Sequence, residues 1–397
     1  MTGERASGGA ARAVRRAAKA AVAGALCAAG ARWVVRSVAR RAAGGPRVLI
    51  LSYHLPVPEV ERAPGTILPS LMISRQTLRR QLQQLARERE VVSLDVACAL
   101  LAGGAAGGAA RGPDVAVVTF DDGYAGVHDV ALPLLRELRL PATVYVPTGY
   151  VGTGRRLLHD RLFAALTELR RRRLLPQAAG LLPELQAPLD ACAAAGPADT
   201  LDGLIARLPH ERLRALAAGL DRRLGLREQD LPAETRVMSW AELRALEAAG
   251  VDVGGHTVEH VALVNVARGP ARSEIAGCLA HLARELGGRP RHFAYPNGYH
   301  SPGLRRAVAE AGFASAVTTE DVENRRGGDL FALKRKTLWE NSTLGATRYS
   351  AAVAACNLDG VFEALRWPRP ATGERPDRPE PEAPAPGAAP PGRAAAG

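Results

Sequence analysis

Short apolar runs alternate with helical patterns along most of this chain. The apolar runs span residues 47–54, 114–120, 142–146, 251–254, 292–295 and 314–318. The helical patterns span residues 78–88, 94–101, 131–138, 240–249, 274–286 and 304–311. Runs that are apolar throughout are typical of strands buried on both faces, and a helix is the usual connection between parallel neighbours. The alternation therefore predicts an α/β fold built on a mostly parallel sheet.

The strand signals stop between about residues 160 and 231. Leucine and alanine recur there at helical spacing, and several prolines interrupt the pattern. We interpret this segment as a helical insertion in the α/β domain. Its run Arg170–Arg173 is typical of a solvated helix face, and contact with an anionic polymer is the alternative.

The first 45 residues form a basic arm. They hold nine lysines or arginines against one acidic residue, in a chain of net charge +12. Val22, Leu26, Ala29 and Trp33 recur at helical spacing, so an amphipathic helix could lie on a membrane, with solvation or packing on the domain as alternatives. The remainder of the chain has no zinc-finger, helix-turn-helix or aromatic-basic pattern, and no nucleic-acid partner is expected.

The composition also suggests boundaries and a compartment. Residues 367–397 are mainly Pro, Ala, Gly and charged residues, which predicts a disordered tail after a domain at residues 46–366. Residues 20–31 are too short for a spanning helix, which needs roughly 20 apolar residues, and show no cleavage site. A cytoplasmic or peripheral membrane location is therefore expected, with export as the open alternative.

The five cysteines are scattered along the chain and predict neither a disulfide framework nor a cysteine metal site.

The run TFDDGY, residues 119–124, places two adjacent carboxylates where a strand ends. Gly123 permits the sharp backbone path that would let Asp121 and Asp122 face one pocket, whereas neighbours within a strand point to opposite faces. Two carboxylates in one cleft can divide their roles, one binding a metal and the other acting as a base. An ordinary turn is the alternative interpretation.

Two further segments follow strands in the same way. In HTVEH, residues 256–260, an i, i+4 spacing would bring His256 and His260 to one face of a helical turn, within reach of one ion. With a carboxylate, they would form a site that leaves coordination positions open. The segment RHFAYPNG, residues 291–298, has a cation before a strand and a turn after it.

These three segments, in this order, resemble the motifs of the NodB-homology polysaccharide deacetylases, also called carbohydrate esterase family 4. TFDDG is similar to the family's first motif, HTVEH to its HTxxH motif, and RHFAYPNG to its RxxxxPxG motif. The resemblance extends from about Val48, with Ser52-Tyr53-His54 near its start, to about Arg335. It implies a distorted (β/α) barrel that carries the helical insertion, the basic arm and the disordered tail as additions.

The resemblance also implies roles for individual residues. One divalent ion, commonly zinc, would be bound by Asp122, His256 and His260. Asp121 would be the base that deprotonates the attacking water, and Arg291 would orient Asp121 through a charge-assisted hydrogen bond. A backbone N–H near Tyr124 would stabilise the oxyanion. The candidate sugar contacts are Tyr124, Trp240, Tyr295 and Pro296, with core packing as the alternative for Trp240 and Tyr295.

One departure from the family pattern concerns the general acid. Members usually supply a late histidine, but no histidine follows His300. His54 is the best substitute, because some members carry a Tyr-His pair on the first strand; lining the barrel mouth is its alternative role.

The expected function is hydrolysis of the N-acetyl group of an amino sugar in a polysaccharide or a lipid-linked glycan. The alternatives are hydrolysis of O-acetyl esters or small cyclic amides, and glycan binding without catalysis.

Overall fold

A curled, mostly parallel sheet forms the centre of the molecule. The structure is a computed structural model that describes residues 3–43, 47–103, 114–174, 196–345 and 348–365, with Arg375. The strands are β1 Arg47–Tyr53, β2 Leu55–Val57, β3 Met72–Ser74, β4 Glu90–Val91, β5 Val115–Phe120, β6 Ala142–Val146, β7 Val251–Gly255, β8 His292–Ala294, β9 Ser315–Val317, β10 Asn324–Arg325 and β11 Lys336–Thr337.

The main sheet has the order β10-β1-β5-β6-β7-β8-β9, with β4 beside β5 and β11 beside β1. Neighbours from β1 to β9 in this order are parallel, and β10 pairs with β1 in the antiparallel sense. All residues of β1, β5 and β6 are buried, as expected for strands covered on both faces. The predicted α/β class is confirmed.

One segment connects the two sides of the curled sheet. The N–H of Leu333 donates to Ala316 O at 2.9 Å, beside β9, and the N–H of Leu338 donates to Ser52 O at 2.9 Å, in β1. Residues 333–338 therefore lie between β9 and β1. This arrangement closes the sheet into the predicted distorted barrel.

Helices cover the sheet and form the additions. They are α1 Gly3–Ala28, α2 Ala31–Ala43, α3 Arg75–Glu88, α4 Leu94–Leu101, α5 Leu132–Leu138, α6 Leu158–Arg171, α7 Pro197–Arg207, α8 His210–Leu224, α9 Trp240–Ala248, α10 Arg268–Leu286, α11 Pro302–Ala311, α12 Ala351–Leu358 and α13 Val361–Ala364. The start of α9 has a capping box in which Ser239 and Glu242 each accept a backbone N–H of the other.

The helical insertion has a core of its own. Helices α6, α7 and α8 pack their leucines together, including Leu162, Leu166, Leu204 and Leu220. The helical content expected at residues 160–231 is thus found in these three helices, while residues 175–195 lie outside the described part. The insertion follows β6 and returns to the barrel before α9.

The basic arm forms α1 and α2, which pack against the last helices of the chain. Ala23 is fully buried in a cluster with Val353, Cys356 and Val361. Among the described helices, none alone has the length and apolar character to cross a membrane. The pair Ala13–Ala28 and Ala31–Ala39, which meet at a bend of 68°, has this length and apolar character when the two helices are taken together.

The predicted tail lies outside the described residues apart from Arg375, and the domain boundaries stay a prediction.

Candidate active site

The polar residues singled out above meet at the carboxyl ends of the parallel strands. His54 follows β1, Asp121 and Asp122 follow β5, and His256 follows β7. Parallel strands bring their carboxyl ends to one rim of a barrel, which is where such folds gather functional side chains. Asp121, Asp122 and His256 are all buried there.

A tight bend after β5 directs both carboxylates into this cleft. Asp122 and Gly123 have φ angles of 68° and 65°, in the left-handed region. A Cβ at position 123 would lie 2.8 Å from Val146 Cγ1, so only glycine fits without displacement of Val146. Aspartate tolerates this region better than most residues. In a regular strand, the side chains of Asp121 and Asp122 would point to opposite faces of the sheet. The bend removes this alternation, so both carboxylates face the cleft.

Asp122 forms a candidate metal centre with the two histidines. Its Oδ1 lies 3.0 Å from His260 Nε2 and 3.4 Å from His256 Nε2. Ligand atoms bound tetrahedrally at zinc distances are separated by about 3.4 Å, so this spacing suits one ion. The three residues offer ligand atoms that all lie within 4.8 Å of one another.

The tautomer of His256 is set by the neighbouring strand. Its Nδ1 lies 2.7 Å from Ala294 O, at the end of β8. A carbonyl oxygen accepts only, so Nδ1 carries a hydrogen, and Nε2 is the nitrogen that faces Asp122. Histidine ligands of metals are commonly oriented in this way by a partner on the other nitrogen.

The two histidines lie on an irregular bend, so the helical turn expected from their spacing is wrong. Thr257 and His260 have φ angles of 66° and 52°, which no helical turn contains. The carboxylate of Glu274 accepts the N–H groups of Val258 and Glu259, both at 2.9 Å. These two hydrogen bonds pair backbone N–H groups that have no helical partner, and they hold the bend against α10.

A second group of potential ligands lies on the surface and has other partners. His128, Asp129 and Glu242 lie close enough together to hold an ion. Glu242, however, accepts from both terminal nitrogens of Arg236, at 2.7 and 2.8 Å. The buried group around Asp122 is therefore the stronger candidate.

Asp121 is held by an arginine that the sequence analysis did not single out. Arg335 Nη1 and Nη2 donate to the two carboxylate oxygens of Asp121 at 2.7 and 2.6 Å. Arg335 is fully buried, and its Nε donates to Thr318 O at 2.8 Å. Burial alone would raise the pKa of Asp121, but the Arg335 guanidinium outweighs it and keeps that pKa below the ordinary value.

The expected contact between Arg291 and Asp121 is wrong. Arg291 Nε donates to Asp95 Oδ1 at 2.7 Å, and its side chain is 61% exposed. Arg291 precedes β8 and therefore lies at the amino ends of the parallel strands, whereas Asp121 lies at the carboxyl ends. The length of the strand separates the two residues.

His54 lies beside Asp121 and has an unused nitrogen. Its Nε2 is 3.8 Å from Asp121 Oδ2. Its Nδ1 is buried and has no hydrogen-bond partner among the described residues. Burial lowers the pKa of His54, despite the opposing effect of Asp122 and Asp121, so the imidazole is held in its neutral form.

A polar group from the insertion completes this side of the cleft. His159 Nε2 lies 2.8 Å from Tyr124 Oη and 3.8 Å from Asp122 Oδ2, and Tyr124 Oη donates to Asp160 Oδ2 at 3.0 Å. Burial lowers the pKa of His159 to about 3 and raises the pKa of Asp160 well above its ordinary value. His159 was not predicted from the sequence. The adjacent pair of His159 and Asp160 at the start of the insertion is the signal that could have pointed to it.

The predicted sugar contacts have different environments. Tyr295 is fully buried in the core, and its hydroxyl donates to Phe331 O at 3.0 Å, so the structure favours core packing, the alternative role of this residue. Trp240, the first residue of α9, is partly buried against the main core. Pro296 is buried at the start of a short turn, and the next residue, Asn297, lines the groove described below.

A groove runs from the candidate metal centre to the insertion. It is lined by Leu158, His159, Leu162, Ile205, Leu208, His210, Leu213, His260, Ala262 and Asn297. His210 Nε2 is buried there without a hydrogen-bond partner in the described residues. The insertion therefore forms one wall of the space beside the cluster.

Comparisons with known proteins agree with the three motifs. The family model described as polysaccharide deacetylase matches residues 108–180 and 196–316. No curated protein matches the sequence significantly.

Several solved structures are similar. IcaB from Ammonifex degensii is 20% identical, with 79% of this chain and 98% of that chain covered and a TM-score of 0.49. The deacetylase PplD from Streptococcus pyogenes is 16% identical, covering 75% and 95% with a TM-score of 0.47. A de-N-acetylase from Aggregatibacter actinomycetemcomitans is 15% identical, covering 74% and 95% with a TM-score of 0.46.

Proposed function

Because this chain belongs to the polysaccharide deacetylase family, we propose that it hydrolyses the N-acetyl group of an amino sugar in a polysaccharide or a lipid-linked glycan. One observation carries the proposal. A carboxylate held by an arginine fork, Asp121, shares a buried cleft with the ligand set Asp122, His256 and His260. Hydrolysis by a metal-assisted route needs both a base and a metal centre within one site.

The residues of the cluster fit a divalent ion, and we propose zinc. One carboxylate and two imidazoles are ligands that zinc prefers, and three protein ligands leave a position for water or substrate. The bond from His256 Nδ1 to Ala294 O leaves Nε2 free to coordinate. When bound, the ion would polarise the acetamide carbonyl and make a water molecule more acidic.

Asp121 and Arg335 would perform the first proton transfer. The fork from Arg335 holds Asp121 ionised and in one orientation, which a general base requires. Asp121 takes a proton from the attacking water, whose oxygen forms the new bond to the acetyl carbon. The backbone N–H near Tyr124 would donate to the developing oxyanion.

His54 would donate a proton to the leaving amine. Its Nε2, 3.8 Å from Asp121 Oδ2, is near enough to receive the proton that Asp121 has taken, after a small movement. The imidazole begins neutral, so it must gain that proton before it can give one to the sugar nitrogen. The C–N bond then breaks, and the amine leaves with the proton from His54. The acetyl group keeps the water oxygen and its second proton, leaves as acetic acid and ionises to acetate.

Two alternatives share parts of this site. Hydrolysis of O-acetyl esters or small cyclic amides would use the same base and the same ion. A protein that only binds glycan would have no use for a carboxylate kept ionised beside a metal centre, and the Asp121–Arg335 pair therefore favours an enzyme.

The experiment that tests the proposal measures acetate released by the full chain with zinc supplied. N-acetylglucosamine oligomers are compared with an O-acetylated glycan, and opening of a small cyclic amide is measured in parallel. We expect acetate mainly from the N-acetylated oligomers. A preference for the ester or the cyclic amide would reassign the substrate, and glycan binding without any turnover would identify a binding protein.

Replacement of Arg291 with Gln is expected to leave acetate release unchanged. Arg291 is largely exposed and pairs with Asp95, and a surface pair of this kind contributes at most about 1 kcal/mol to stability. The measurement compares kcat and KM for this variant and the wild type. A variant that binds metal normally but has lost turnover would restore the catalytic role that the sequence pattern suggested.

A further inference from the structure

Helices α1 and α2 of the basic arm are fixed to the domain through their inner faces. Ala23 is buried against α12 and α13, and Arg32 Nε donates to Asp359 Oδ2 at 2.7 Å. Arg32 also contacts Glu88, and Arg36 Nη2 lies 3.7 Å from Asp114 Oδ2. Side chains on the other side of each helix therefore keep a fixed orientation, away from the domain.

That other side carries most of the exposed large hydrophobic side chains that the structure describes. In the described part of the chain, eight large hydrophobic side chains are exposed, and five of them lie on α1 and α2. These five are Val14 at 67%, Val22 at 54%, Trp33 at 72%, Val34 at 51% and Val38 at 60%. We call them, with the exposed alanines Ala18, Ala21 and Ala25 between them, the outer face.

The spacing of these residues makes the outer face continuous along each helix. At 3.6 residues per turn, Val14, Ala18, Ala21 and Ala25 follow one stripe of α1, with Val22 beside it. Trp33, Val34 and Val38 lie within half a turn of one another on α2. Soluble proteins rarely leave apolar residues grouped in this way without a partner.

The charge of the arm indicates what that partner is. Arg15 and Arg41 are exposed on the same side as the outer face, and the sequence from residue 5 to residue 45 contains no acidic residue. A helix face with valines, a tryptophan and flanking arginines suits the interface of a bilayer, where apolar side chains enter the acyl boundary and cations meet anionic headgroups.

We propose that the outer face docks onto an anionic lipid bilayer and holds the domain peripherally at a membrane surface. The inference does not depend on the proposed activity. A second copy of the chain could also cover the outer face, but self-association would bring the basic residues of two arms together, whereas anionic lipid neutralises them.

The test is flotation of the full chain with vesicles. Vesicles of phosphatidylcholine with phosphatidylglycerol are compared with vesicles of phosphatidylcholine alone. The wild type should float with the anionic vesicles, and added salt should weaken the association. A variant with Trp33→Glu, Val34→Glu and Val38→Glu should lose at least tenfold in binding, which corresponds to about 1.4 kcal/mol.

Two other variants keep the result interpretable. Val96→Glu changes an exposed valine outside the arm and should bind as the wild type does. Arg15→Glu with Arg41→Glu keeps the apolar residues and should lose binding selectively to anionic vesicles. Acetate release from soluble oligomers should be the same in all of these variants, so a failure of docking is separable from a failure of the proposed activity.

Four outcomes would overturn the proposal. The wild type could fail to float with anionic vesicles, or the triple variant could float equally well. If the wild type is a dimer in solution and the triple variant is a monomer, the outer face is assigned to a second copy of the chain. Salt-sensitive binding to nucleic acid that is stronger than binding to the vesicles would assign the arm to nucleic acid.

Discussion

Replacement of Asp121 with Asn is expected to lower the kcat for acetate release by roughly 10²–10⁴-fold. Asparagine has nearly the same shape but cannot take a proton from water, so the loss falls on the chemical step. Substrate binding should change little, and KM should stay near the wild-type value. The measurement is steady-state acetate release from N-acetylglucosamine oligomers, with the metal content of both proteins matched.

Asp160→Asn is the matched control for this loss. Asp160 is a second buried aspartate on the same side of the cleft, and burial raises its pKa well above the ordinary value. In the described structure it accepts from Tyr124 Oη and not from an arginine fork that would keep it ionised, so its replacement should cost much less activity. Turnover by the Asp121 variant equal to that of the wild type would contradict the role of Asp121 as the base.

Replacement of Arg335 with Met is expected to destabilise the fold by about 3–5 kcal/mol. The reason is that Asp121 would remain buried without its partner, and a lone carboxylate in the interior is costly. The free energy of unfolding in denaturant measures this effect. The surviving folded protein should also show a lower kcat, because nothing else holds both oxygens of Asp121 in the described structure.

Arg335→Lys separates charge from geometry. Lysine keeps the positive charge but lacks the planar fork that pairs with both oxygens of Asp121. It should recover part of the lost stability, while kcat stays low and KM is unchanged. The double variant with Asp121→Asn should be less destabilised than the sum of the two single variants, since the two residues act as a pair. Additive losses, or full turnover by the methionine variant, would contradict the positioning role of Arg335.

The candidate metal centre could be predicted from the sequence because its signals are local. Asp122, His256 and His260 each lie just after a strand, and parallel strands bring such positions to one rim. The bend at Gly123 was predictable for the same reason, since a glycine beside two aspartates at a strand end indicates a sharp turn.

The partner of Asp121 could not be found by such reasoning. The pair between Asp121 and Arg335 joins residues 214 positions apart, and it depends on the segment that closes the barrel. No local pattern marks that segment as a strand, because β11 has only two residues. Arg291, with a clear motif around it, was the more visible arginine but lies at the wrong end of its strand.

The arm and the insertion show the same limit. The spacing of Val22, Leu26, Ala29 and Trp33 predicted one amphipathic helix and left open whether it packs on the domain. The arm instead breaks after Ala28 into two helices, and Leu26 packs on the domain while Val22 and Trp33 are exposed, an arrangement that depends on α12 and α13, far along the chain. The insertion was recognisable as helical, but its composition did not reveal that His159 reaches Tyr124 and approaches Asp122. Contacts of this kind become visible only when both partners are in place.

A zinc titration of acetate release tests the candidate metal centre most directly. The full chain is first stripped with a chelator, and the rate with N-acetylglucosamine oligomers is then measured as zinc is added in known equivalents per chain. We expect no release from the stripped protein and a rate that rises until one ion is bound per chain. A stripped protein that releases acetate as fast as the zinc-loaded one would contradict a function for the site formed by Asp122, His256 and His260.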